Sequence, residues 1–182
     1  NASINWEFMA GYNLSLGYAE AYRGPEVRDA YKIYDAPNDP DLVGETAKNL
    51  ELGFDIFEGP LTVSGGIFRT RIKDPIVNEP PWSDTFSNSD DPITAEGYFA
   101  SVAYEWSSVN AKVGYSVSDT EADDEMVTRY EYGSTAISVG DTLVTELAYD
   151  ASQKFRMGWI MEWVQGLDEE TVDVGGEQLQ VE

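Results

Sequence analysis

The stretch from Tyr12 to Phe57, YNLSLGYAEAYRGPEVRDAYKIYDAPNDPDLVGETAKNLELGFDIF, decides the fold of this chain. Two runs of alternating apolar and polar residues flank a long polar segment that is rich in turn-forming residues. The first run extends roughly from Trp6 to Tyr22, and its apolar side chains stand at even positions: Trp6, Phe8, Ala10, Tyr12, Leu14, Leu16 and Tyr18. Period-two alternation over so many residues predicts a β-strand on each side of a long loop.

The same alternation recurs along the rest of the chain. Further alternating runs lie at about residues 50–56, 61–67, 98–106, 109–117, 137–149 and 155–163. None of them has the 3.6-residue period of a helix. The sequence therefore predicts an all-β fold, an antiparallel up-and-down meander of about seven strands.

The connections between these strands alternate in length. The short ones lie at residues 58–60, 107–108 and 151–153, and the long ones at 23–44, 74–95, 119–135 and from 166 onward. Every second connection of an up-and-down meander lies at the same end of the sheet, so one end has tight turns and the other has long loops. Outer-membrane β-barrels have this asymmetry, whereas a soluble Greek-key sandwich has no reason to keep it.

Composition argues against several classes of protein. The chain has 182 residues, no Cys, no His and a net charge of −23. Without Cys and His it lacks disulfides, thiolate metal ligands and the commonest general base, so we expect no enzyme activity, catalytic residue, metal site or cofactor. Nucleic acid is not an expected partner, because binding of a phosphate backbone depends on an excess of Lys and Arg. No apolar run approaches the ~18 residues of a membrane-spanning helix.

Three motifs near the start of the chain resemble those of a known family. Residues 22–25 read Tyr-Arg-Gly-Pro, residues 38–42 read Asn-Asp-Pro-Asp-Leu, and residues 45–53 read Glu-Thr-Ala-Lys-Asn-Leu-Glu-Leu-Gly. The barrel of TonB-dependent outer-membrane receptors is similar, with aromatic-Arg-Ala-Pro, Asn-Pro-Asp/Asn-Leu and Glu-Thr-Ser-x-Asn-x-Glu-Leu-Gly. Two departures from the family pattern are Gly24 in place of Ala and the inserted Asp39.

A later part of the chain resembles one branch of that family. Residues 139–143, 158–159 and 164–167 look like the haem and haemoglobin receptors. In that branch a His lies between the two loop motifs, whereas this chain has Tyr31 and Tyr34 there. A tyrosine phenolate also holds haem iron in some proteins.

The resemblance implies a transmembrane β-barrel of about 22 strands. We therefore expect residues 1–182 to form a single barrel segment, a fragment of a larger receptor without its plug domain and signal peptide. The implied location is the outer membrane of a Gram-negative type envelope, in contact with lipid. The implied function is import of an iron complex, a siderophore or haem, driven by a TonB-type energy-coupling protein acting through the plug. A haem-carrying protein is a further implied partner.

The long loops are the expected sites of ligand recruitment. The candidate ligand-binding residues are Tyr22, Arg23, Tyr31, Tyr34 and Trp82. The loop anchors that the family motifs imply are Pro25, Asn38, Pro40, Asp41 and Leu42. For Arg23 an alternative role is that of an anchor that pairs with a carboxylate of the lumen.

A secreted carbohydrate-binding β-sandwich is the main alternative, with Trp82 as its stacking platform. Asp119, Glu121 and Asp123 resemble the start of a calcium loop, but Asp124 stands where a Gly is needed, which favours a solvated acidic loop. A glycosidase is not favoured, because nothing places two carboxylates on facing strands.

Barrel and sandwich differ in where the apolar residues point, because a barrel turns them to lipid and a sandwich turns them to a shared core. One surface of the sheet is predicted to carry Trp6, Phe8, Leu14, Leu16, Leu50, Leu52, Val102, Trp106, Val113, Leu147, Trp159 and Trp163. The opposite surface is predicted to carry Glu7, Asn13, Glu51, Lys112, Lys154 and Glu162.

Overall fold

The structure, a computed structural model, describes residues 1–25, 41–78, 86–122, 125–126, 139–152, 154–165, 170–174 and 177–181. Its strands are β1 Ala2–Met9, β2 Tyr12–Arg23, β3 Glu45–Glu58, β4 Leu61–Lys73, β5 Ile76–Asn78, β6 Phe86–Asn88, β7 Ile93–Glu105, β8 Val109–Ala122, β9 Glu125–Met126, β10 Val139–Ser152, β11 Phe155–Val164, β12 Glu170–Val174 and β13 Glu177–Val181.

One antiparallel sheet dominates the molecule. Its strand order is β1-β2-β3-β4-β7-β8-β10-β11, with the short β9 paired to β8. Strands β5 and β6 form a separate hairpin, as do β12 and β13. The long strands lie side by side in the order in which they occur along the chain. The predicted up-and-down meander is therefore confirmed.

The first predicted strand, Trp6 to Tyr22, is wrong in its extent, because the structure divides it into β1 and β2. The chain turns at Gly11, whose φ of 81° is in the left-handed region that suits glycine. The Gly11 carbonyl accepts a hydrogen bond from the Phe57 backbone N–H at 2.7 Å. Across the hairpin Trp6 pairs with Leu14. Even-numbered residues of β1 therefore pair with even-numbered residues of β2. The apolar residues keep even numbers on both sides of the turn, so the sequence shows no sign of it.

Two segments that were predicted as irregular loops contain short hairpins. The stretch 74–95 contains β5 and β6, and the stretch from residue 166 onward contains β12 and β13. These strands are three and five residues long. Such short strands show too few alternations for a period to be recognised.

The predicted alternation of short and long connections is confirmed, with one tight turn more than expected. The tight turns join β1 to β2, β3 to β4, β7 to β8, and β10 to β11. The other connections are long, and in the meander they all leave from the opposite end of the sheet. We call this opposite end the loop end.

The pairing register separates two faces of the sheet. One row of directly paired residues runs across seven strands as Leu14, Phe54, Gly65, Ala100, Tyr115, Leu143 and Trp163. The neighbouring row on the other face runs as Asn13, Asp55, Ser64, Ser101, Gly114, Val144 and Glu162. Lys112 pairs with Ala103 and Glu146 on the same polar face, opposite to Leu14. The predicted division into an apolar and a polar face is confirmed for these positions.

The apolar face is the exposed one. Large apolar side chains on it retain about half of their accessible surface, as for Leu52 at 47%, Val102 at 49% and Trp159 at 53%. Along β2 and β7 the exposure alternates, and the smaller side chains of the polar face are the more shielded ones. A sheet that curves towards its polar face produces this pattern.

The sandwich alternative is therefore wrong for the part of the chain that the structure describes. A sandwich buries its apolar faces between two sheets. Among the described residues, most large side chains of the apolar face are exposed instead, and the buried apolar side chains are Ile76, Val77, Ile93 and Ala122. The exposed band of Trp, Leu, Ile and Val is far larger than soluble monomers tolerate.

Replacing Leu52 by Lys in the complete receptor is predicted to lower the free energy of unfolding by about 2 to 4 kcal/mol, because the charge would enter the hydrocarbon layer. Urea titration of the receptor in lipid vesicles measures this change. Glu51→Lys is the matched control, since the neighbouring Glu51 pairs with Gly17 and Phe68 on the polar face and its replacement should cost far less. An equal loss in both variants would contradict the assignment of faces.

Candidate functional site at the loop end of the sheet

An ion pair closes the base of the loop that joins β2 to β3. Arg23 is the last residue of β2 and Glu45 the first of β3, and the two are directly paired in register. The Arg23 Nε donates to Glu45 Oε2 at 2.7 Å. The Glu45 side chain is only 6% exposed. A carboxylate that is this buried is stable as an anion only when it is paired and hydrogen-bonded.

The second oxygen of Glu45 holds a different loop. The backbone N–H of Ile76, the first residue of β5, donates to Glu45 Oε1 at 2.7 Å. Glu45 lies on the polar face together with Arg23, so the β5–β6 hairpin meets the sheet on this face. One carboxylate thus fixes the bases of two long loops, the one between β2 and β3 and the one between β4 and β7.

Asn88 makes a second bridge between the same two loops. Its Nδ2 donates to the carbonyls of Val43 at 3.0 Å and Asp74 at 2.7 Å. Its Oδ1 accepts from the Val43 backbone N–H at 2.8 Å. The amide therefore uses both of its donor hydrogens and its acceptor on backbone groups. We call Arg23, Glu45, Val43, Ile76 and Asn88 the loop clasp.

One residue between β4 and β5 has a left-handed backbone conformation. Asp74 has a φ of 53°, and Asp is one of the few residues that enter this left-handed region at low cost. The following Pro75 is among the most deeply buried side chains. Its carbonyl accepts from the Ser89 N–H at 2.9 Å, which closes the hairpin next to Asn88.

A small apolar cluster lies on the polar face at the loop end. Ile72, Ile93 and Ala122 are adjacent across β4, β7 and β8, and Ile93 is 1% exposed. These side chains replace the polar ones that occupy the same face further from the loops. The buried side chains of the described residues are therefore concentrated at the loop end.

The structure separates the two predicted ligand residues that are adjacent in sequence. Arg23 points to the polar face, whereas Tyr22 lies on the apolar face, pairs with Thr46 and is 70% exposed. The Tyr22 ring covers Gly44, where an added Cβ atom would collide with the tyrosine hydroxyl. Tyr22 and Arg23 therefore do not share one surface.

The remaining predicted residues divide into two groups. Pro25, Asp41 and Leu42 lie at the described ends of the β2–β3 loop, where Pro25 and Leu42 are half-buried and Asp41 is exposed. The others fall outside the described residues: Tyr31, Tyr34, Asn38, Pro40 and Trp82. The ligand-binding and anchoring roles of both groups stay predictions.

Sequence reasoning missed Glu45 and Asn88 as parts of this site. Glu45 is the first residue of the Glu-Thr-Ala motif. Its two partners, Arg23 and Ile76, are far from it in the sequence, so the motif alone did not indicate the contacts. Asn88 lies in a Ser- and Asn-rich segment that gave no signal beyond a turn.

The start of the predicted acidic loop is wrong, because Asp119 to Ala122 belong to β8 and Asp119 pairs with Glu96 on the apolar face. Within the described ranges no group of three metal-ligating side chains occurs.

Among the residues that the structure places, no helix has the length and apolar character needed to cross a membrane.

A protein-family model described as the TonB dependent receptor-like β-barrel matches residues 1–175. The chain belongs to this family, whose members are outer-membrane proteins of Gram-negative bacteria. The chain is accordingly part of the wall of an outer-membrane β-barrel.

Solved structures share this fold. The FrpB iron transporter from Neisseria meningitidis, F3-3 variant, is 24% identical with a TM-score of 0.67, over 90% of this chain and 26% of that one. The ferric-catecholate import receptor Fiu from Escherichia coli K12 is 18% identical with a TM-score of 0.65, over 89% and 24%. The copper transporter OprC is 12% identical with a TM-score of 0.66, over 89% and 25%. The chain thus spans about a quarter of the length of these proteins.

Replacing Glu45 by Ala is predicted to release the loop clasp. Loss of hydrogen bonds to a charged group costs about 2 kcal/mol, which corresponds to roughly 30-fold faster local opening. Hydrogen exchange of the Ile76 amide in the complete receptor measures this opening.

Two further variants give the controls for this prediction. Glu45→Gln keeps an acceptor for the Ile76 N–H and should give an intermediate exchange rate. Glu58→Ala removes a carboxylate at the turn end, where Glu58 Oε2 accepts from the Tyr12 hydroxyl at 3.4 Å, and should leave the Ile76 amide unchanged. Unchanged exchange in Glu45→Ala would show that the clasp does not hold the hairpin.

Proposed function

We propose that the complete receptor imports a small iron complex, and that this chain supplies part of its wall, its lumen lining and two of its ligand-recruiting loops. The proposal rests on the different roles of the two faces of the sheet. The apolar face is exposed, and the loops held by the loop clasp meet the sheet on the polar face. Loops fixed in this way stand over the lumen of a barrel. The iron transporters among the structural neighbours support iron as the cargo.

The polar face suits the passage of a small hydrophilic ligand. It carries ion-paired charges such as Lys112 and Glu146 at 3.7 Å, and hydrogen-bonded hydroxyls such as that of Ser64, which donates to Asp55 at 2.7 Å. A lining of polar groups of this kind offers weak, exchangeable contacts rather than a tight site. Tight capture is therefore assigned to the loops, and the wall has a passive role.

The energy for transport comes from outside this segment in our proposal. A TonB-type protein would act on a plug domain that lies within the barrel. The partners of the complete receptor are then that protein, the surrounding lipid and the iron complex.

For the cargo we propose an iron chelate of the siderophore type ahead of haem. The resemblance to haem receptors over residues 139–167 favours haem, with a haem-carrying protein as the donor. However, this chain has no His, and Tyr31 and Tyr34 stand in the region where the haem receptors have theirs, so the ligand that it offers there is a phenolate. A chelate that arrives with its iron already coordinated needs aromatic and cationic contacts rather than a metal ligand.

Replacing Tyr31, Tyr34 and Trp82 together by Ala is predicted to weaken binding of the iron complex to whole cells roughly 100-fold, because the three stacked aromatic rings contribute roughly 1 kcal/mol each. Radiolabelled iron uptake measures the effect, and surface labelling checks that expression is unchanged. Unchanged uptake would assign the ligand to other loops.

Two companion measurements separate the parts of the proposal. The variant Tyr31→Phe/Tyr34→Phe keeps both rings and removes both phenols, so it should still bind a chelate but would fail with haem if a phenolate is the iron ligand. In cells that lack the energy-coupling protein, binding should persist while uptake stops. Uptake that continues there would contradict TonB dependence.

A further inference from the structure

Four cations face outwards at the loop end of β3 and β4. Lys48 and Arg71 are directly paired, Arg69 pairs with Leu50, and Lys73 pairs with Thr46. These positions share the apolar face. They account for four of the 11 Lys and Arg residues of a chain whose net charge is −23. We call Lys48, Arg69, Arg71 and Lys73 the basic cluster.

The cluster contains a pair of like charges that opposes folding. Residues directly opposite each other on neighbouring strands approach closely, so Lys48 and Arg71 repel each other. Glu20 lies 4.0 Å from Lys48 and offsets part of this repulsion. Glu96 lies 3.6 Å from Arg69.

Two members of the cluster remain uncompensated. Arg71 and Lys73 are exposed and form no ion pair with any other residue in the described ranges. An anion bound between Arg71 and Lys73 would offset the repulsion between the neighbouring positive charges.

The cluster adjoins an apolar groove on the same face. The groove has a volume of about 580 Å³, and its end nearest the basic cluster is lined by Arg69, its ion-pair partner Glu96, and Asp119. Its apolar lining comes from Leu16, Leu50, Leu52, Ile67, Tyr98 and Val117. The apolar part of this groove is suited to a hydrocarbon chain.

The change from apolar to charged residues occurs over two rows, through the mixed row Tyr18, Leu50, Arg69, Glu96 and Asp119. The row Leu16, Leu52, Ile67, Tyr98 and Val117 is apolar or aromatic. The row Glu20, Lys48, Arg71, Thr94 and Glu121, two steps nearer the loops, is entirely polar. In an outer-membrane barrel this transition marks the level of the lipid headgroups, and the loop end faces the outside.

We propose that the outer surface of β3 and β4 binds a phosphorylated lipid of the outer leaflet. The phosphate lies between Arg71 and Lys73, and an acyl chain lies in the groove below. Both parts of the site are needed, because a phosphate alone lacks the apolar contact and an uncharged lipid leaves the cations unpaired. The site lies on the outside of the barrel, so it is independent of the imported ligand.

The test uses the complete receptor in a neutral detergent, titrated with bisphosphorylated lipid A and followed by native mass spectrometry. The variant Arg71→Gln/Lys73→Gln is expected to bind about 30-fold more weakly, from roughly fivefold for each cation. The control Lys154→Gln/Arg156→Gln removes two charges near the tight turns and should bind as the unmodified protein does. Equal binding by the first variant, or an equal loss in the control, would overturn the proposal.

Two arms on the unmodified protein test the proposal without any substitution. Dephosphorylated lipid A is expected to bind much more weakly than the phosphorylated form. Inorganic phosphate at the same concentration is expected not to compete. Equal binding of both lipids would show a merely apolar site, and competition by phosphate would show a simple anion site, and either result rejects the proposal.

Discussion

The strict alternation of side chains across a continuous antiparallel ladder is the constraint on which the rest of this structure depends. Within a bilayer no water satisfies backbone groups, so every strand must pair and no strand may slip. A slip of one residue would turn the apolar face inwards along a whole strand. Apart from bulges near both ends of β10, the register from β2 to β11 keeps the apolar residues on one face, and the lipid-facing and lumen-facing surfaces both follow from it.

The two ends of the sheet meet different demands. At the tight turns, glycines such as Gly11 and Gly59 with positive φ reverse the chain within a few residues. At the loop end, long polar segments must be held without a large core. The structure solves this with one buried carboxylate and one amide, Glu45 and Asn88, which together fix two loops on the polar face. The small apolar cluster around Ile93 lies at the same end of the polar face.

Much of this fold is predictable from the sequence because period-two alternation is a local signal. It predicted the faces, the meander and the asymmetry of the connections. It did not predict the β1–β2 turn, because a hairpin that pairs even with even positions leaves the alternation unchanged. The hairpin β5–β6 was missed since three residues are too few to show a period.

The candidate site was less predictable than the fold. The sequence identified Arg23 and left it open whether this residue binds ligand or anchors the loop. Its partner Glu45 emerged only from the structure, which shows that Glu45 also binds Ile76, 31 positions further along the chain. Long-range contacts of this kind leave no pattern in a single sequence. The outward cations were equally hidden, because Lys48 and Arg71 become neighbours only through the register of β3 and β4.

The assignment of the apolar face to lipid is tested most directly by site-directed labelling of β7. The chain contains no Cys, so single cysteines at Ser101 and Val102, adjacent residues on opposite faces, report on the two surfaces separately. In the complete receptor in native membranes, with any other cysteine replaced, Val102→Cys should react with a lipid-soluble maleimide and resist a charged one. Ser101→Cys should show the reverse preference. Reaction of Val102→Cys with the charged reagent, together with resistance of Ser101→Cys, would contradict the account.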